Sequence, residues 1–211
     1  MATAEMRAGS AGHAFLASWY VTTGLAPTDR LTRALAAFDA AEHRPPPPVR
    51  PGWYSDSAIG ALAECGTRFY YSRLHGGRGI ERAYPEPEGE ALSKQVSATA
   101  KALASTKDAC RWLVESGNTG EDRFTTWGTE VYLETRPPFR FRGWVDHLVW
   151  DRETDALGVR DHKFTFRDDA RVGLRVLYAD QLLLYAATWN VWAAEWGLPR
   201  VDFLVPHVIV V

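Results

Sequence analysis

Cysteine, long apolar runs and an excess of charge of one sign are all scarce in this chain. Only two cysteines occur in 211 residues, Cys65 and Cys110, and neither belongs to a Cys-x-x-Cys pair. A disulfide framework or a structural zinc site is therefore not expected, and the composition suits a reducing, cytoplasmic setting. No apolar stretch approaches the roughly 20 residues of a membrane span. The start, Met1-Ala2-Thr3-Ala4-Glu5-Met6-Arg7, lacks the charged and then apolar pattern of a secretory leader. Lysine and arginine number 24 against 26 acids, a net charge of −2. That balance excludes a histone-like coat on nucleic acid but leaves room for a local basic groove. What is present is ordinary for a globular chain: 46% hydrophobic and 24% charged residues, enough to exclude wholesale disorder. The length fits one domain, or one with a helical appendage.

Residues 12–25 are apolar at helical spacing around Phe15, Leu16, Trp19 and Tyr20. A second helix is expected after Pro27-Thr28-Asp29, with Leu31, Leu35 and Phe38 on one face and Thr28 or Asp29 as its cap. The run Arg44-Pro45-Pro46-Pro47-Pro48-Val49-Arg50-Pro51 excludes helix and central strand and reads as a stiff spacer. It divides the chain into an N-terminal helical segment (1–44), a proline-rich linker (45–51) and a main domain (52–211). In that domain Ser55-Asp56-Ser57 opens a helix, and a long helix covers 90–116 with Leu92, Val96, Leu103, Trp112 and Leu113 inward. Strands follow at 126–135, 139–151 and 156–164, then an apolar helix over 170–197 and a last strand over 201–211. The apolar end, Val208-Ile209-Val210-Val211, predicts that the last strand is buried or that the domain is truncated at its C-terminus.

The second strand carries Gly143-Trp144-Val145-Asp146 and the third Asp161-His162-Lys163. Alternation puts Asp161 and Lys163 on one face, and the intervening turn allows Asp146 to lie beside them. Two carboxylates crowded on a small sheet need neutralising. A hard divalent cation does so, taking one or two protein carboxylates and completing its shell with water and phosphate oxygens. A neighbouring ammonium could then orient a water and stabilise phosphoryl charge. On charge frequencies alone, ordinary salt bridges on a solvated face explain the same residues. Asp146, however, interrupts an apolar strand, and Gln181 and Tyr185 share a face of the following helix.

These elements resemble the PD-(D/E)xK nuclease superfamily, in particular its RecB-like branch, which includes CRISPR adaptation nucleases and phage exonucleases. The resemblance rests on Gly143-x-x-Asp146, Asp161-x-Lys163 and Gln181-x-x-x-Tyr185 in order. It rests also on Ser55 to Tyr71 with Cys65-Gly66-Thr67-Arg68-Phe69-Tyr70-Tyr71, and on Glu130 one strand ahead. It covers about residues 55–211. It implies an α/β restriction-endonuclease-like core: helix, three strands, helix, strand, with a mixed central sheet flanked by helices and here an N-terminal helical extension. It implies Mg²⁺ or Mn²⁺ on Asp146, Asp161 and Glu130, with Lys163, Gln181 and Tyr185 completing the catalytic set. The family usually adds a histidine in a pattern close to Gly-Thr-Ala-hydrophobic-His, on the helix before the sheet. The matching stretch is Gly89-Glu90-Ala91-Leu92-Ser93, with Ser93 in the histidine's place. Either Glu130 completes the site, or His75 reaches it, or the site is weakened. Some branches hold an iron–sulfur cluster; Cys65 matches one ligand, but four are needed, so no cluster is expected here.

Arginines gather around these motifs. Arg68, Arg73, Arg78, Arg142, Arg167 and Arg171 are the expected nucleic-acid contacts, with Arg82, Arg136, Arg140, Arg160 and Arg175 nearby. Trp144 and Trp150 fit the core better than a base-stacking role. The function expected is a metal-dependent nuclease acting on single-stranded DNA or duplex ends in phage or bacterial recombination and repair, compatible with a helicase or recombination partner and with no membrane. The alternatives are a non-catalytic nucleic-acid-binding or assembly module on the same fold, and a structural helical protein with incidental acids.

Overall fold

In the computed structural model, residues 4–42, 54–55, 89–135, 141–166 and 179–211 are described. Helix α1 (Ala4–Val21) and helix α2 (Pro27–Glu42) form an antiparallel pair. Helix α1 starts well before residue 12. Gly9 and Gly12 are poor helix formers, but burial of Ala8, Ala11, Phe15, Leu16, Trp19 and Tyr20 along one side outweighs local propensity. Helix α2 begins with Pro27, whose missing N–H and fixed φ suit the first helical position. The Arg30 and Asp29 N–H groups donate to the Ala26 carbonyl. Ala26 is therefore the boundary residue, and Thr28 and Asp29 lie in the first turn instead of capping it.

Tyr54–Ser55 is a short strand, β1, so Ser55 does not open a helix. The remainder of that expected helix, and the proline-rich linker, lie outside the described residues. Helix α3 (Gly89–Glu115) buries Ala102, Leu103, Thr106, Cys110 and Leu113. Leu92, Val96 and Trp112, expected inward, are exposed. The contact stripe starts only at Ala102, where α3 meets α1, and Trp112 lies off it.

The sheet is mixed and open. Strand β2 (Phe124–Glu134), strand β3 (Phe141–Asp151) and strand β4 (Ala156–Thr165) form an antiparallel meander. Helix α4 (Ala179–Trp196) then leads to strand β5 (Val201–Val210), which runs parallel to β4. A parallel neighbour needs such a crossover. Strand β1 adds parallel to the first residues of β3. Gly197 ends α4 with φ 68°. Asn190 fastens the return strand, donating to the Val201 carbonyl and accepting from its N–H at 3.1 and 2.7 Å.

The sheet has a core on each face. On one, Leu182, Tyr185, Trp189 and Ala193 of α4 cover Leu133, Phe141, Val145, Leu148, Leu157 and Val159. On the other, α1, α2 and α3 pack together and onto Phe164 and Ile209. The N-terminal helices, expected as an extension, thus supply much of the second core. The fold is α/β, and no described helix is long and apolar enough to cross a membrane.

Candidate metal centre

Strands β3 and β4 pair from Asp151↔Ala156 to His147↔Arg160 and then separate. Beyond that point β3 continues with β2, and β4 with β5. Asp146 and Asp161 are the first residues past the fork on its two arms. Their neighbourhood is built by the loss of pairing: the His162 N–H donates to Asp146 Oδ2 at 2.8 Å, a carboxylate replacing the missing strand partner.

The side-chain phase reverses at the same point. Before it, Phe141 and Val145 pack toward α4; after it, Leu148 does. His147 instead stacks on Tyr20 of α1, ring centroids 4.1 Å apart. Asp146 and His147 therefore share the α1 side of a kinked strand. Opposite Asp146, Glu130 has φ 50° although it sits between the regular pairs Thr129↔His147 and Val131↔Val145. A left-handed non-glycine residue inside a strand costs about 1–2 kcal/mol. Such strain concentrates at functional sites.

Helix α1 contributes His13, a candidate ligand outside the sequence motifs. Its Nδ1 lies 3.1 Å from Asp146 Oδ1. Gly12 makes the approach possible, since a β-carbon there would run into the Phe164 ring. One ligand atom from each of His13, Glu130 and Asp146 lies within 4.8 Å of the others. Gly9-Ser10-Ala11-Gly12-His13 carries the glycine, alanine and histidine of the pattern matched to residues 89–93, with Gly12 in place of its hydrophobic residue, but it stands far from the sheet in sequence. Ser93 is exposed on the first turns of α3 and takes no part in this cluster.

Asp161 and Lys163 follow Leu157 and Val159 toward α4, so Asp146, turned to the α1 side where its strand kinks, faces them across the fork and not on one shared face as alternation predicts. Lys163 Nζ lies 3.0 Å from Asp161 Oδ1 and 2.8 Å from Oδ2. Oδ2 is buried and, despite that proximity, receives no hydrogen bond. On the same side, Gln181 Nε2 donates to Tyr185 Oη at 2.9 Å. Tyr185 is buried over Gly143, where a β-carbon would stand 2.7 Å from the ring. The glycine of Gly143-x-x-Asp146 is thus required by the tyrosine of the next helix.

The charges are linked. Burial and then Asp146 push the Asp161 carboxyl up to about 6, against the pull of Lys163. Burial would also raise Asp146, but His13, Lys163 and the His162 N–H outweigh it and hold the carboxyl below its usual range. His13 is raised because Asp146 outweighs burial. The positive charges of Lys163 and of a protonated His13 thus offset the acids here, and a cation would compete with the proton on His13. The His13 imidazole and the Glu130 and Asp146 carboxylates, with the Asp161 carboxyl coupled to Asp146, suit a hard or borderline divalent ion such as Mg²⁺ or Mn²⁺.

Behind the fork lies a buried imidazole group. His162 Nδ1 and His207 Nδ1 are 2.8 Å apart, and His147 Nε2 is 3.0 Å from Thr126 Oγ1. Burial first, then Arg160, brings His147 and His207 down to about 3. Burial also takes His162 well below its ordinary value, with His207 adding to the effect. Arg160, grouped with the phosphate contacts in sequence, is buried and donates to the Thr119 carbonyl at 2.6 Å. It therefore braces this face from within. Trp144, expected in the core, is 49% exposed, whereas Trp150 packs partly into the α4 core. Arg142 lies half-buried on β3. Arg68, Arg73, Arg78, Arg82, Arg136, Arg140, Arg167, Arg171, Arg175, His75 and Cys65 lie outside the described residues. No protein-family model and no curated protein sequence matches the chain.

Proposed function

We propose that this chain is a metal-dependent nuclease of the PD-(D/E)xK type, RecB-like, on a restriction-endonuclease-like core. The observation that carries this reading is the grouping of His13, Glu130 and Asp146 within 4.8 Å, with the Asp161–Lys163 pair electrostatically coupled to Asp146 from the other arm of the fork where β3 and β4 part. His13, Glu130, Asp146 and Asp161 would hold Mg²⁺ or Mn²⁺. Bound there, the ion supplies Lewis-acid polarisation of a phosphate and a more acidic water. Lys163, held by Asp161, orients that water and opposes the negative charge that grows on the phosphoryl oxygens. Gln181 and Tyr185 brace the same face. The non-catalytic alternative rests on the missing histidine, and the position of His13 beside Asp146 favours the catalytic reading.

The test is incubation of the purified protein with labelled single- and double-stranded DNA and RNA in Mn²⁺, Mg²⁺ or EDTA. Cleavage with metal, none in EDTA and none by Asp161→Asn is the expected result. Intact substrates in Mn²⁺ would overturn the reading.

A further inference from the structure

Beside the metal centre lies an aromatic pair that the cleavage chemistry does not use. Tyr132 and Trp144 are direct partners across β2 and β3. Their ring centroids are 5.0 Å apart and their planes are inclined by 56°. Trp144 is 49% exposed. Tyr132 Oη donates to Glu134 Oε2 at 2.6 Å, which fixes the direction of its ring. Each aromatic stands two residues from a metal-centre carboxylate, Tyr132 from Glu130 and Trp144 from Asp146. Two strand residues span about 6.6 Å. Val131 and Val145, the residues between, pack toward α4. Alternation therefore turns Tyr132 and Trp144 to the other side of the sheet, toward which His13 reaches Asp146.

We infer that Trp144, steadied by Tyr132, is a stacking platform for an unpaired base, and that the substrate is accordingly a single strand or a frayed end. This rests on the nuclease reading and adds the strand state to it. The argument is one of position and chemistry. A phosphate held at the fork leaves its neighbouring base beside an exposed indole that rests against Tyr132. In a duplex that base is already stacked and paired, whereas in a single strand its π-face is free. Aromatic stacking tolerates any base, so the platform selects strand state and not sequence. Trp144 is thus a specificity-determining residue that acts on the base while Asp146 and Asp161 act on the phosphate.

The test measures binding of labelled oligonucleotides by anisotropy, using the full chain carrying Asp161→Asn so that cleavage is silent. Adding Trp144→Ala should weaken single-strand affinity about tenfold, and Trp144→Phe should recover most of it. An abasic oligonucleotide, with the same phosphates and no bases, should bind both proteins alike, as should a blunt duplex. A merely structural role for Trp144 would lower all of these together. Equal loss on the abasic strand, or no loss on the normal strand, overturns the inference even where the wild-type protein cleaves. A base-dependent Trp144 effect without cleavage by the wild type in Mn²⁺ would keep the platform and discard the nuclease. Absence of binding to any strand would discard both.

Discussion

The two faces of the sheet are built on opposite principles. Toward α4 the buried side chains are leucine, valine, phenylalanine, tyrosine and tryptophan, and close packing alone stabilises them. Toward α1 the sheet buries His147, Arg160 and His162, with Tyr20 stacked on one histidine and bonded to Thr119. Burying such groups is unfavourable unless each finds a partner or gives up its charge. Nδ1 of His147, Nε2 of His162 and Nε of Arg160 are buried without one. A face that accepts this alongside a strained Glu130 is arranged for something other than stability. The acids sit where the two regimes meet, with His13 on one side and Lys163 on the other.

The largest effect should come from the α4 side of the centre. Lys163→Ala should slow cleavage at least about a hundredfold, because an oriented charge facing the transition state is lost. Single-strand affinity should stay near that of wild type. Single-turnover cleavage and anisotropy on the same preparations check this, and equal losses in both would contradict the division of labour. Next in size is the α1 side. His13→Ala should lower Mn²⁺ affinity by at least about tenfold in calorimetry, since even groups behind a ligand are worth that much. Ser93→His should leave it unchanged. A gain from Ser93→His would return the histidine position to α3.

A pair of glycine substitutions compares the two faces directly. Gly143→Ala drives a β-carbon against Tyr185 and Phe141, at 2.7 and 2.9 Å. Gly12→Ala drives one into Phe164. Each should cost about 1–3 kcal/mol of stability by overpacking, read as a drop of several degrees in Tm. Only Gly12→Ala should also weaken Mn²⁺ binding beyond its effect on folding, since it pushes His13 away from Asp146. If Gly143→Ala weakens metal binding as strongly, the two faces are not separable.

The smallest effect is a pH trend. His147, His162 and His207 bind protons in the unfolded chain near pH 6.5 but not in the folded one, where burial lowers all three. The unfolded state therefore holds more protons below about pH 6.5, and stability falls as pH falls from there. Asp161 works the other way: folded, it takes a proton near pH 6, above its ordinary value, so acid favours it. His13, raised by Asp146, acts in the same direction as Asp161, so three groups oppose two. Melting temperatures in EDTA should decline between pH 6.5 and 5, and a rise would mean that the carboxyl dominates.

Much of the frame was legible in the sequence. Period-two patterning located β2, β3 and β4 to within two residues, because alternation and the Arg152–Asp155 turn are local signals. The pairing of Asp161 with Lys163 followed from the same periodicity. Helix faces were read less well. Leu92, Val96 and Trp112 have apolar spacing on α3 but stand outside its contact with α1. Trp144 looked like core because it sits in an apolar strand, yet it falls on the face that α4 does not cover.

What the sequence determined by itself is the order of α1, α2 and the elements from α3 to β5, though not β1, together with the carboxylates, since helix and strand periods, turns and polar interruptions act over a few residues. The tertiary structure decided which histidine stands beside the carboxylates. His13 is separated from Asp146 by more than a hundred positions, and the packing of α1 on the sheet, with Gly12 against Phe164 and Tyr20 on His147, joins them. It also decided that β3 and β4 part after His147↔Arg160, and that Asp146 turns out of phase there. Both depend on how strands compete for partners and on which helix covers which face. Those are interactions between distant segments, and no local pattern encodes them.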